Sequence, residues 1–192
     1  VAAAVAVSAV AAAVSAAAVR RGVGEMALTM RLLQNTFDGW FQLSKRFPAP
    51  LLDEVAKLVG QGEQTHDGEV RVAIEARLPL SAVLSGVTAN RRAHEVFAHL
   101  RVWDTEHNSG VLLYVLLAEH RIEIVADRGI ARRVAADEWK SICEQMREGF
   151  AREDWRGGLL RGVEQANALL REHFPSDGSH RGSELPDQPI IL

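Results

Sequence analysis

The residues best suited to chemistry lie in two short polar runs, Asp104-Thr105-Glu106-His107-Asn108-Ser109 and Asp127-Arg128-Gly129. In the first, Asp104, Glu106, His107 and Asn108 fall within five residues, and Gly110 follows. Carboxylate and amide oxygens spaced along a loop are what a hard cation such as calcium or magnesium requires. The run is not an EF-hand: the regular Asp-x-Asp-x-Asp-Gly spacing and the distant bidentate Glu are missing. The structural use of the same residues has Asp104 and Asn108 bonding backbone amides of their own turn, and such turns are much commoner than metal loops. In the second run Asp127 is a candidate ligand or acid–base group and Arg128 a candidate anion holder. Its structural alternative is a turn in which Gly129 supplies a positive φ beside a surface Asp–Arg pair. Carboxylates from separate loops serve one site only if the fold brings them together.

The elements around these runs can be read from periodicity. Residues 111–118 are almost continuously apolar, the pattern of a strand covered on both faces. Glu119-His120 makes a turn, and residues 121–126 return as a neighbouring strand; if the two pair, the turns at their far ends are expected at different rims of the sheet. Upstream, Val70, Val72 and Ile74 alternate with Glu69, Arg71 and Glu75, which predicts a half-buried strand whose polar side is solvated or ion-paired. Before it, Pro48 and Pro50 introduce a helix carrying Leu51, Leu52, Val55, Leu58 and Val59. Pro79 and Gly86 bracket an irregular stretch. A helix capped by Thr88 or Asn90 follows, with Ala93, Val96, Phe97 and Leu100 inward. The last portion reads as helices over 135–150 and 154–174, with Asp154 a cap and Gly157-Gly158 allowing close packing. The order is helix, strand, helix, strand, strand, helix, helix. It predicts an α/β fold with helices on both faces of a small sheet that mixes parallel and antiparallel pairs.

Composition excludes several classes. The net charge of −3, from 22 basic and 25 acidic residues, with no basic run interleaved with aromatics, argues against a nucleic-acid partner. A single cysteine, Cys143, rules out an internal disulfide and a multi-thiolate zinc site, and Ile142 and Met146 beside it mark a small apolar filler. A glycine-rich phosphate loop, a paired-His motif and a Gly-x-Ser-x-Gly elbow are all missing. His94 and His99 are not one helical turn apart, so a shared metal there is not expected. His66 stands alone before the first strand. Trp103, Trp139 and Trp155 are expected to anchor loops to the core.

Residues 1–19 are only Ala, Val and Ser, followed by Arg20-Arg21. They are long enough to span a bilayer but poorly apolar for it. Residues 1–25 are therefore read as a low-complexity or weak transmembrane segment. Residues 26–47 form an amphipathic helix with Met30, Leu33, Phe37, Trp40, Phe41 and Leu43, suited to a membrane interface or, as such stripes more commonly are, to packing. The compact domain spans 48–174, and 175–192 reads as a disordered tail.

The residues from about 47 to 174 resemble the TPM domain, shared by bacterial envelope proteins and a chloroplast thylakoid-lumen acid phosphatase. The resemblance rests on Gly-Glu-Val-Arg-Val-Ala-Ile-Glu at 68–75, Asn-Ser-Gly-Val-Leu-Leu-Tyr-Val at 108–115 and Glu-Ile-Val-Ala-Asp-Arg-Gly-Ile at 123–130, with the Phe150, Asp154-Trp155, Gly158 pattern beyond them. It implies a three-layer α/β/α sandwich with a mostly parallel sheet. It also implies a calcium or magnesium site and, in some members, phosphatase activity. Carried over by position, the metal ligands would be Asp104, Glu106, Asn108 and Asp127. Ser109 stands where the family usually has Asn, and a hydroxyl is a poorer ligand. The leading expectation is a binding or interaction module associated with the bacterial inner membrane through its N-terminal region, with an unidentified protein partner; a cytoplasmic location is the alternative. A weak metal-dependent acid phosphatase is one rival, with Asp104 and Asp127 on the metal and Arg128 steadying charge. A scaffold acting through the 26–47 helix is the other.

Overall fold

The structure is a computed structural model and describes residues 26–35, 40–176, 178 and 184–192. The expectations for residues 1–25 lie outside the described residues. The helices are α1 (26–35), α2 (Trp40–Arg46), α3 (Ala49–Glu63), α4 (Leu80–Leu84), α5 (Ala89–His99), α6 (Arg128–Ala131), α7 (Ala136–Ala151) and α8 (Trp155–His173). The strands are β1 (Glu69–Glu75), β2 (Gly110–Leu116), β3 (Arg121–Ala126) and β4 (Ile190–Ile191). They form one sheet in the order β3-β2-β1-β4, in which β1 is parallel to β2 and β4, and β2 is antiparallel to β3.

The period of two in β1 and β2 divides the core. Val70, Val72, Ile74, Val111, Leu113 and Val115 face α3, α7 and α8, whereas Ala73, Leu112, Tyr114 and Leu116 face α4 and α5. The result is the expected three-layer α/β/α sandwich with a mostly parallel mixed sheet. Caps fix where the helices begin. Thr88 accepts the Arg91 N–H (3.2 Å) at α5, and Asp154 accepts the Gly157 N–H (2.9 Å) at α8. Gly158 lets α8 lie close on α7, since a Cβ there would stand 2.8 Å from the Phe150 ring.

Three expectations are corrected. First, β1 is buried along its whole length rather than half-buried. Its polar side chains are paired across the fold: Glu75 accepts two bonds from Arg92 (2.8 and 3.0 Å) and one from the Tyr114 hydroxyl (2.5 Å). Arg71 donates to the carbonyls of Pro186 and Gln188, and Glu69 accepts the Leu185 N–H (3.2 Å). Second, residues 184–192 of the expected disordered tail are laid along β1, with Leu185 buried and the Leu192 N–H on the Ile74 carbonyl (3.0 Å). Apolar residues spaced through that segment supply the cover that β1 needs on its outer edge. Third, the stretch after Pro79 is the short helix α4.

Residues 26–35 and 43–47 pack on the same domain, and the expectations for the Phe37, Trp40 and Phe41 side chains lie outside the described residues. Leu28 and Leu32 of α1 lie against the α4–α5 side of the core, and Leu43 and Phe47 enter the other side. Arg31 bonds Glu119 through Nε (3.1 Å) and Nη2 (2.8 Å), and buried Asn35 accepts the Leu78 N–H (2.7 Å). Met26, Met30 and Leu33 stay exposed.

Candidate functional site

Antiparallel pairing of β2 with β3 places the start of one beside the end of the other. The 104–109 loop and the 127–129 turn therefore share one rim of the sheet, not the different rims expected. The Asp127 N–H donates to the Gly110 carbonyl (2.8 Å), and the Gly129 N–H to the Asn108 carbonyl (3.0 Å). Gly129 is required by closeness rather than by a positive φ: a Cβ would sit 2.5 Å from the Asn108 carbonyl oxygen and 2.7 Å from that of His107. The left-handed residue is Asn108 itself (φ 53°), a type that tolerates it.

Side chains at this rim have different duties. Asp127 Oδ1 accepts the Arg128 N–H (2.6 Å) and caps α6. Its Oδ2 is buried without a hydrogen-bond partner, and the residue as a whole is only 9% exposed. The expected surface Asp–Arg pair is replaced by another contact, in which Arg128 Nε donates to the Asn108 side-chain oxygen (2.8 Å). The Arg128 terminal nitrogens have no partner among the described residues. Asp104 and Glu106 point their exposed carboxylates from the loop. Buried Thr105 accepts the Ser109 N–H (2.9 Å), and the Ser109 carbonyl accepts the Glu69 N–H (3.0 Å), which ties the loop to β1.

Sequence reasoning missed two contributors. Glu184 reaches the loop from the C-terminal segment and accepts the Glu106 N–H (3.0 Å), and Thr105 holds the turn from inside. Thr105 was legible as a turn residue; Glu184, 78 residues from its partner, carried no local signal.

An orphaned, buried carboxylate oxygen on Asp127 suits a cation. Asn108 does not fit as it stands, because a guanidinium already occupies its amide oxygen. Among the described residues no three His, Cys, Asp or Glu side chains stand together as a metal-holding group.

Cys143 and His66 are both poorly placed for catalysis. Burial, and then the Glu123 charge, push the Cys143 thiol up to about 12, so it carries no thiolate near neutrality. His66 is fully buried, with Nε2 against the Asn167 side-chain oxygen (3.2 Å) and Nδ1 accepting the Gly68 N–H (3.3 Å). Desolvation lowers its pKa and keeps it neutral. Trp139 is buried and Trp155 packs on Phe47 and Phe150, as anchors should, whereas Trp103 is exposed.

The TPM domain family model matches residues 51–169, within the 47–174 segment that carries the resemblance. Among solved structures, the chain is similar to the BA42 protein of the psychrophilic bacterium Bizionia argentinensis. The two share 26% sequence identity with a TM-score of 0.66, over 75% of this chain and 94% of that one. No curated protein matches.

Proposed function

The chain belongs to the TPM domain family, and from that premise we propose that it is a binding and interaction module whose ligand docks at the rim made by residues 104–109 and 127–129. The observation that carries this reading is the Asp127 Oδ2 atom, buried and unpartnered at the meeting point of the two runs. Buried polar atoms are almost always satisfied, and an exception at a rim of exposed acidic groups is explained by a ligand that completes it. A divalent cation is the ligand favoured. Asp127 would hold it through Oδ2. Because no three carboxylates stand together there among the described residues, exposed Asp104 or Glu106 would have to swing onto it, and Asn108 would join only by releasing Arg128. The cation would supply positive charge that neutralises the buried oxygen and attracts an anionic group of a partner.

The N-terminal region brings the module to a membrane in this reading. It is supported by the outward Met26, Met30 and Leu33, which recur at helical spacing along α1. No helix among the described residues is long and apolar enough to cross a membrane. Backbone amide spectra recorded during calcium and magnesium titration test the rim, and fractionation of cells tests the location. Shifts centred on Glu106, Asn108 and Arg128 with recovery in the membrane fraction support both halves; flat titrations remove the cation, and recovery only in the soluble fraction removes the membrane.

A weak phosphatase is the second reading, favoured by the unpartnered terminal nitrogens of Arg128 beside Asp127. They would steady charge developing on a phosphoryl group. Hydrolysis of a phosphate ester that falls in both Asp104→Ala and Arg128→Gln would favour it, and activity unchanged in either would dismiss it.

A further inference from the structure

We propose that a second cleft, remote from the rim just described, binds a carboxylate carried on a small apolar body. The cleft lies between the end of α2, the start of α3 and the start of α8, with a volume of about 760 Å³. That is within the range of small-molecule sites. It stands at the other end of the sheet from Gly110, since the Trp155 ring lies 6.3 Å from the His120 ring in the β2–β3 turn.

Its recognition group is Arg46. The Arg46 guanidinium is stacked over the Trp155 indole, 4.2 Å from its centroid. The indole is itself held by Phe150 at 4.8 Å and Phe47 edge-on at 6.0 Å. Stacking fixes the plane of a guanidinium without consuming its N–H groups. Arg46 forms no hydrogen bond or ion pair among the described residues, so its planar fork remains to be used. A planar fork matches a carboxylate edge in two parallel bonds.

Charge decides the valence of the ligand. Arg156, also in the wall, is taken up by the Glu54 carboxylate through Nε (3.0 Å) and Nη2. Asp154 is taken up by Arg161 (2.7 Å) and by its capping bond. Lys45 and Arg46 then face a single uncompensated acid, Glu153, among the lining groups. Two positive charges against one negative leave room for a monoanion, whereas a dianion would place excess charge beside Glu153. Pro48, Leu51 and the Trp155 edge supply apolar wall for the body of the ligand. A free organic acid and the C-terminus of a peptide present this same chemistry. The site is independent of the rim reading and survives its failure.

The test is titration of the full chain, followed by NMR of the Arg46 Nε–H and Trp155 indole N–H. One arm uses 3-phenylpropanoate and its amide; the other uses the peptide Gly-Gly-Phe and its C-terminal amide. At least one acid should saturate, its amide should bind about tenfold more weakly, and Arg46→Gln should weaken the acid about tenfold. Lys45→Gln should weaken it about threefold. Whichever acid binds identifies the source. Equal binding of acid and amide, wild-type binding by Arg46→Gln, or no saturation of either acid by about 10 mM would overturn the proposal.

Discussion

Replacing Asp127 by Asn separates the two oxygens of one carboxylate. Oδ1 caps α6 by accepting the Arg128 N–H at 2.6 Å, and an Asn side chain keeps that bond. Oδ2 is buried and unpartnered, so in the ligand-free protein it is a desolvated carboxyl oxygen. An unsatisfied buried group costs about 1–3 kcal/mol, and an amide, less costly to desolvate than a carboxylate, reduces that cost. Taking about 1 kcal/mol, and about 2–4 °C per kcal/mol for a domain of this size, Asp127→Asn should melt about 2–4 °C above wild type in EDTA. Asp127→Ala loses the cap, about 1 kcal/mol, and should fall back to the wild-type value or below. Calcium should raise the melting temperature of the wild type alone. Differential scanning calorimetry of the three proteins, with EDTA and with calcium, reads all of this. If Asp127→Asn melts at or below wild type in EDTA, Oδ2 is already satisfied and the reasoning fails.

Glu75→Gln should destabilise the protein by about 2–3 kcal/mol in urea melts, because it removes the counter-charge that faces the Arg92 guanidinium and weakens the Tyr114 bond in a buried cluster; Tyr114→Phe should cost about 1 kcal/mol. His66 has a folded pKa lowered from 6.5, so the unfolded chain takes up the proton first. Stability should therefore hold above pH 6.5 and fall as pH drops toward the folded value, and His66→Gln should flatten that slope. Leu185→Ala should cost about 2 kcal/mol and speed hydrogen exchange at the Glu106 amide, because the segment that carries Leu185 also carries Glu184. Equal exchange in the two proteins would show that the loop does not depend on that segment.

Fold and site were legible to different depths, for physical reasons. Residues 111–118 announced a strand buried on both faces because every position in it is apolar or small, and burial needs no knowledge of its neighbours. Asp154 and Thr88 marked helix starts because capping is local. The alternation in β1 was misleading, since Glu69, Arg71 and Glu75 find partners 116, 115 or 117, and 17 residues away, and distant pairing leaves no local trace. For the same reason the 184–192 segment read as tail: Leu185, Ile190, Ile191 and Leu192 form no periodic run of their own, and only the exposed edge of β1 makes them cover. The meeting of Asp127 with the 104–109 loop followed from one fact the sequence carried only implicitly, the antiparallel pairing of β3 with β2. The engagement of Asn108 by Arg128, which changes which oxygens are available, lay beyond it.

The most direct measurement is a crystal structure of the protein soaked in calcium. The account predicts a spherical density beside Asp127 Oδ2, with carboxylate oxygen from Asp104 or Glu106 at roughly 2.3–2.6 Å from it. An unaltered rim, with Oδ2 still unpartnered or bonded only to water, would contradict it.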